Sequence, residues 1–158
     1  MSDSALPDVF RSPCFTISPC RDCDVPGYLI VQPLTQAATL AAWDAITLQE
    51  FGQVLAQAES AILTVTGAQH VYVLRFSEGF ASVHFHLFPR TAALAAQWSD
   101  AHPASAADGI NGPLLFAWAR LTFFVTATQG ISNRTRQTAS RIAGELRRLH
   151  DSVERSST

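Results

Sequence analysis

The run Ser82-Val83-His84-Phe85-His86-Leu87-Phe88-Pro89-Arg90 constrains the fold of this chain more than any other segment. Side chains alternate across a strand with a period of two, so Ser82, His84, His86 and Phe88 share one face and Val83, Phe85 and Leu87 the other. The second face is apolar and has to be covered by a core, while the first can hold two imidazoles against one ligand. Pro89 cannot donate to a sheet ladder, which predicts a strand end or an edge position and places the histidines near a sheet margin.

A length of 158 residues, 47% hydrophobic and 15% charged, is that of one globular domain with a real core. The formal charge of -2 excludes a broad basic surface for duplex nucleic acid, so any polyphosphate site must be local. All 11 positive side chains are arginine, which excludes a phosphate-loop lysine and Schiff-base chemistry. Phosphate contacts then fall to arginine, histidine, hydroxyls or backbone amides. The N-terminus lacks a basic region followed by an apolar stretch, so no secretory signal is read and a cytoplasmic protein is expected. Leu114 to Ala127, the longest apolar stretch, is interrupted by Arg120 and is too short to span a bilayer. Cys14, Cys20 and Cys23 are an odd number of cysteines, which favours reduced thiols over a disulfide framework.

Residues 1–12 read as a loose arm and 13–158 as one domain, with a core at 14–90 and an extension at 91–158. Alternation at Cys14 to Ser18, turn residues from Asp22 to Gly27, and the extended run Tyr28 to Val31 predict a hairpin-like pair of strands. Thr47 and Glu50 form a capping-box signature, after which Phe51, Val54, Leu55, Ala58, Ile62 and Val65 recur at helical spacing until Gly67. His70 to Phe76 predicts a strand, and Ser77-Glu78-Gly79 a turn into the histidine strand. Residues 91–110, with breakers Pro103 and Gly109, read as a long connection or lid. Gly112-Pro113 opens a helix over Leu114 to Phe124, although Phe123, Phe124 and Val125 also suit a strand. Ala139, Ile142, Ala143, Leu146, Leu149 and Val153 define a C-terminal amphipathic helix.

With these pieces in order, the chain resembles the histidine triad (HIT) superfamily. The family signature, His-x-His-x-His and apolar residues often closing with Pro-Arg, is matched by Ser82, His84, His86 and Pro89-Arg90, with Ser82 at the first histidine. Pro26-Gly27-Tyr28-Leu29-Ile30-Val31-Gln32-Pro33 looks like the family's Pro-Gly-His strand, and Ala45 to Glu50 like the entry to its central helix. Gln36 stands where many members carry a histidine, and the resemblance spans roughly residues 14–90.

The resemblance implies an α+β fold: a HIT-like antiparallel sheet, a central amphipathic helix and, here, an added C-terminal helix, usually in a homodimer joined sheet edge to sheet edge. It also implies a nucleotide whose α-phosphate bears a second group; from the charge and the short apolar stretches, no nucleic-acid or membrane partner is expected. A neutral imidazole is a competent nucleophile near pH 7, so His84 is the expected nucleophile, through a nucleotidyl-histidine, and His86 the donor to the phosphate oxygens. Ser82 can donate a hydrogen bond but cannot carry the positive charge of a histidine. This favours leaving groups that need little protonation, hence dinucleoside polyphosphates such as diadenosine polyphosphates over phosphoramidates. A catalytically impaired nucleotide-binding protein is the alternative. By the same resemblance Cys20 occupies the slot where members commonly place an aspartate or asparagine for the ribose, Asp22 or Asp24 can substitute for it, and Phe15 and Leu29 are the expected base contacts. No resident cofactor is expected, and a divalent cation can accompany the substrate.

Other readings of these residues stay open. His84 and His86 alone also fit incidental surface histidines or a metal pair, and Cys20-x-x-Cys23 also fits half of a zinc site in a small interaction domain. Two turn cysteines are the preferred reading, since Gln36 and Ser82 stand where further histidine ligands would be needed. His70, His102 and His150 need no catalytic role, and the C-terminal arginines alternate with Glu145, Asp151 and Glu154 as on a solvated helix face.

Overall fold

The structure, a computed structural model, describes residues 8–76 and 81–156. Its elements run β1 (Phe10–Arg11), β2 (Phe15–Pro19), β3 (Leu29–Pro33), a 3-10 turn at Leu40–Ala42, α1 (Ala45–Thr66), β4 (His70–Leu74), β5 (Phe85–Arg90), α2 (Ala92–Ala101), α3 (Pro103–Ala106), α4 (Gly112–Thr122) and α5 (Asn133–Ser156). The five strands form one antiparallel sheet in the order β1-β2-β3-β5-β4. The expected α+β architecture is therefore present. The turn expected at Ser77-Glu78-Gly79 lies outside the described residues.

Alternation along β5 divides the interior as the sequence predicts. Val83, Phe85 and Leu87 join Ile17, Leu29 and Val31 in a core closed by α1 and α5. The α1 stripe Val54, Ala58 and Ile62 meets Ile142 and Leu146 of α5 in that core. The other face is covered as well: Phe88, Tyr28 and Cys20 pack beneath Leu94 and Trp98 of α2 and Leu115 and Ala119 of α4.

Several expectations need correction. The segment 91–110 is no linker or lid; it folds into α2 and α3, capped where the Thr91 hydroxyl accepts from the Leu94 N–H at 3.2 Å. Alanine is the strongest helix former, and Pro103 sits at a helix start, where its missing N–H costs nothing. Residues 9–12 are no loose arm either, because β1 pairs with β2 and Val9 is buried. α1 begins at Asp44, whose carboxylate accepts from the Thr47 N–H at 2.8 Å; Glu50 instead accepts from the Cys14 N–H at 2.9 Å, so Thr47 and Glu50 are not a capping box. α4 stops at Thr122, and Phe124 then bridges to Cys23, which reconciles the helical and extended signals of that stretch.

Pro89 neither ends β5 nor marks an edge. Arg90 accepts from the Gln69 N–H at 3.0 Å, so its main chain faces the β4 side and that of Pro89 faces the β3 side. There pairing has already stopped at Leu29 opposite Leu87, so the missing N–H has no partner to lose. β5 is an interior strand, and the histidines are not at a sheet margin. The turn into β3 depends on Gly27, with φ of 87° and a virtual Cβ 2.6 Å from the Thr66 methyl, a place only glycine can occupy.

Candidate active site

Register fixes what shares the histidine face. Ile30 pairs with His86, Ser18 with Ile30, and Leu74 with His86 from the other side, so one row runs Ser18, Ile30, His86, Leu74 across the sheet. His84 lies two residues before His86, at the lip of β5, with ring centroids 5.0 Å apart. The structure thus brings the two expected histidines together.

His84 is buried, 7% exposed, and its Nδ1 lies 3.3 Å from the Ser82 carbonyl oxygen. A carbonyl only accepts, so this contact takes an Nδ1–H, the tautomer that in a neutral ring leaves the lone pair on Nε2. His86 is held by Tyr28, whose hydroxyl is 2.7 Å from its Nδ1. Burial, reinforced by His84 and then Arg120, lowers the His86 pKa to about 4, so this ring is neutral at physiological pH. Burial also pushes the Tyr28 phenol upward and keeps it protonated.

Ser82 precedes the start of β5, and its hydroxyl oxygen accepts from the Ala37 N–H at 3.3 Å. The Val83 N–H donates to the Ala37 carbonyl at 2.7 Å, so Ser82 and Val83 together tie the histidine lip to the segment after β3.

Cys20 and Asp22 stand at the other side of Tyr28, where they meet an arginine that the sequence reading did not assign. Arg120 of α4 donates to both Asp22 oxygens, at 2.7 and 3.0 Å, and to the Cys20 sulfur at 3.4 Å. The guanidinium holds the Asp22 carboxyl down at about 2, and burial pushes the Cys20 thiol up to about 12. Asp24 is used elsewhere: its Oδ1 accepts from the Ser132 N–H at 3.0 Å and the Thr135 hydroxyl at 2.6 Å, at the start of α5. Phe15 and Leu29 are corrected outright. They are 1% and 0% exposed and lie in the α1/α5 core, on the sheet face opposite His86, so neither can reach a base beside the histidines.

The residues missed carried legible signals. Ser18 and Ile30 follow from parity once the β2–β3–β5 register is known, and Arg120 is the single charge in an otherwise apolar α4. Phe116, on the same helix, sets its ring 6.2 Å from His86 and 6.1 Å from Tyr28. Among the described residues no group of three or more His, Cys, Asp or Glu side chains is placed to hold a metal ion. An open groove of about 530 Å³ between the end of α1, α2 and α5 includes neither histidine.

Solved structures carry the same arrangement of strands and helices. A Hit-like protein from Bartonella henselae superposes with a TM-score of 0.58 at 16% identity, covering 87% of this chain and 85% of its own. A hypothetical histidine triad nucleotide-binding protein from Sulfolobus tokodaii gives 0.59 at 12% identity, covering 90% and 84%. The chain has the histidine triad fold. A zinc-bound histidine triad family protein from Mycobacterium smegmatis agrees, with 0.56 at 12% identity over 92% of this chain and 88% of its own. No protein-family model and no curated protein matches the sequence. All three identities are low, so the shared property is the histidine triad fold, within which His86 lies on β5 and His84 immediately before it.

Proposed function

We propose that this protein hydrolyses nucleotide phosphoanhydrides of the diadenosine polyphosphate type on the histidine face of β5. The observation that carries the reading is the His84 ring, whose Nδ1 lies 3.3 Å from the Ser82 carbonyl oxygen and whose centroid is 5.0 Å from that of His86. In the first step Nε2 of His84 attacks the α-phosphorus; a P–N bond forms, the P–O bond to the next phosphate breaks, and that phosphate leaves with the electron pair. Water then attacks the same phosphorus, breaks the P–N bond and releases the mononucleotide and free His84. His86, its ring centroid 5.0 Å from that of His84, is the proposed N–H donor to the phosphate oxygens as their charge grows. A polyphosphate leaving group needs little protonation, which suits a site with Ser82 in place of a third histidine. The nucleotide-binding histidine triad neighbour from Sulfolobus tokodaii supports a nucleotide ligand.

A second reading, a nucleotide-binding protein with impaired turnover, draws on the Ser82 hydroxyl oxygen already accepting from Ala37. Product analysis with diadenosine tetraphosphate separates the two. Wild type should yield mononucleotide products and His84→Ala at least about a thousandfold less. Nucleotide binding without products from either protein would select the second reading. We further propose a homodimer through β4, which lies at the end of the sheet order with Val73 exposed. Light scattering at the mass of one chain would refute it.

A further inference from the structure

His86 has two ring nitrogens and, when neutral, one proton to place on them. The structure holds one of those nitrogens in a specific contact: the Tyr28 hydroxyl at 2.7 Å from Nδ1. Tyr28 is 1% exposed, so its O–H has to find an acceptor inside the protein. Its other polar neighbour is the Cys20 thiol, a weak acceptor whose own S–H lies toward Asp22 Oδ1 at 3.0 Å. An unprotonated imidazole nitrogen is by far the better acceptor.

We infer that Tyr28 is a positioning residue: its hydroxyl donates to His86 Nδ1 and thereby fixes His86 as an uncharged hydrogen-bond donor, through Nε2, toward the phosphate that His84 attacks. The phosphate end of this inference rests on the proposed hydrolase reading; the assignment of the proton does not. Helix α4 completes the device. Phe116 stands edge-on to Tyr28, His86 and Phe88 at 6.1, 6.2 and 5.2 Å, and keeps the phenol–imidazole contact in an aromatic, low-dielectric enclosure where such a bond is stronger. The charged and titratable groups around His86 are His84 on its own strand, Arg120 on α4 and Asp22 after β2. Arg120 disfavours a second positive charge here, which keeps the ring a neutral donor.

The test is long-range proton–nitrogen correlation of the histidine rings in the full-length protein labelled with 15N-histidine. Wild type, Tyr28→Phe and Tyr72→Phe are compared across pH, with hydrolysis of diadenosine tetraphosphate measured in parallel. Tyr72, which stacks on Phe88 with ring centroids 6.4 Å apart, serves as the control. We expect His86 of wild type as the Nε2–H tautomer alone, titrating near 4. In Tyr28→Phe we expect both tautomers, a midpoint moved upward, and kcat about tenfold lower with KM within twofold. Tyr72→Phe should match wild type. An Nδ1–H tautomer in wild type, or tautomers unchanged in Tyr28→Phe, would overturn the inference, and the wild-type measurement needs no variant to fold. Expected tautomers with no hydrolysis by wild type would uphold the Tyr28 bond and strike the hydrolase reading instead.

Discussion

The two faces of the sheet use one strand for different purposes. Toward α1 and α5, the run from Val83 into β5 presents Val83, Phe85 and Leu87 to an apolar core of Ile, Leu, Val and Ala that also takes in Phe15 and Trp43. Toward α2 and α4 it presents His84, His86 and Phe88 among Tyr28, Phe116 and Arg120, where hydrogen bonds and charges are set in aromatic walls. The first face buries area and little else, so its contribution is chiefly stability. The second holds polar groups that are costly to bury and are all the same kept against one another. The comparison teaches that alternation along one short run, from Val83 through β5, can separate scaffold from chemistry.

If that division is right, the largest effect on stability comes from the apolar face toward α1 and α5. Leu87→Ala removes a side chain that is 0% exposed and should cost about 2–5 kcal/mol in denaturant melts. Turnover per folded molecule should stay at the wild-type level; a loss of kcat would break the separation between the faces.

The next effect belongs to the histidine face and appears as pH dependence. The His86 pKa is lowered from 6.5 to about 4, so between those values the unfolded chain binds a proton that the native state refuses. Stability therefore falls as pH drops from 6.5 to 4, by about 1–2 kcal/mol once partial exposure is allowed for, and is flat in this respect above 6.5. Urea melts at several pH values should show this slope in wild type and a shallower one in His86→Asn.

Asp44→Ala, at the start of α1 on the scaffold side, should lower the urea midpoint less than Leu87→Ala does and leave kcat alone. Arg120→Gln should cost less than about 1 kcal/mol, because its partner Asp22 is half-exposed. That variant should still raise the Asp22 pKa from about 2 toward 3.8, readable by carboxyl NMR titration, and would sharpen how far α4 belongs to the site.

How much of this was legible in the sequence follows the same division. Period-two alternation placed His84 and His86 together and opposite Val83, Phe85 and Leu87, because parity within one strand is a local property. Parity between strands is not local. Phe15 and Leu29 looked available to a ligand until the register put them on the far face with Leu87, while Ser18 and Ile30 took the near one. The cover on the histidine face was hidden for a different reason: α2 is alanine-rich, with only Leu94 and Trp98 buried, too few to show a helical stripe among serine and aspartate. Arg120 was visible as an interruption in an apolar run, but its pairing with Asp22 joins residues 98 positions apart, which spacing cannot reveal. Tyr28 stands in the Pro-Gly-Tyr run, and only the fold brings its hydroxyl to His86.

The central claim is that His84 Nε2 becomes covalently attached to the nucleotide during turnover. Its most direct test is intact-protein mass spectrometry, with peptide mapping, after wild type is mixed with diadenosine tetraphosphate and quenched within the first turnover under alkaline conditions that preserve P–N bonds. The account predicts a single adenylyl adduct mapping to His84 and absent from His84→Ala. Hydrolysis with no adduct on any histidine, or an adduct that survives in His84→Ala, would contradict it.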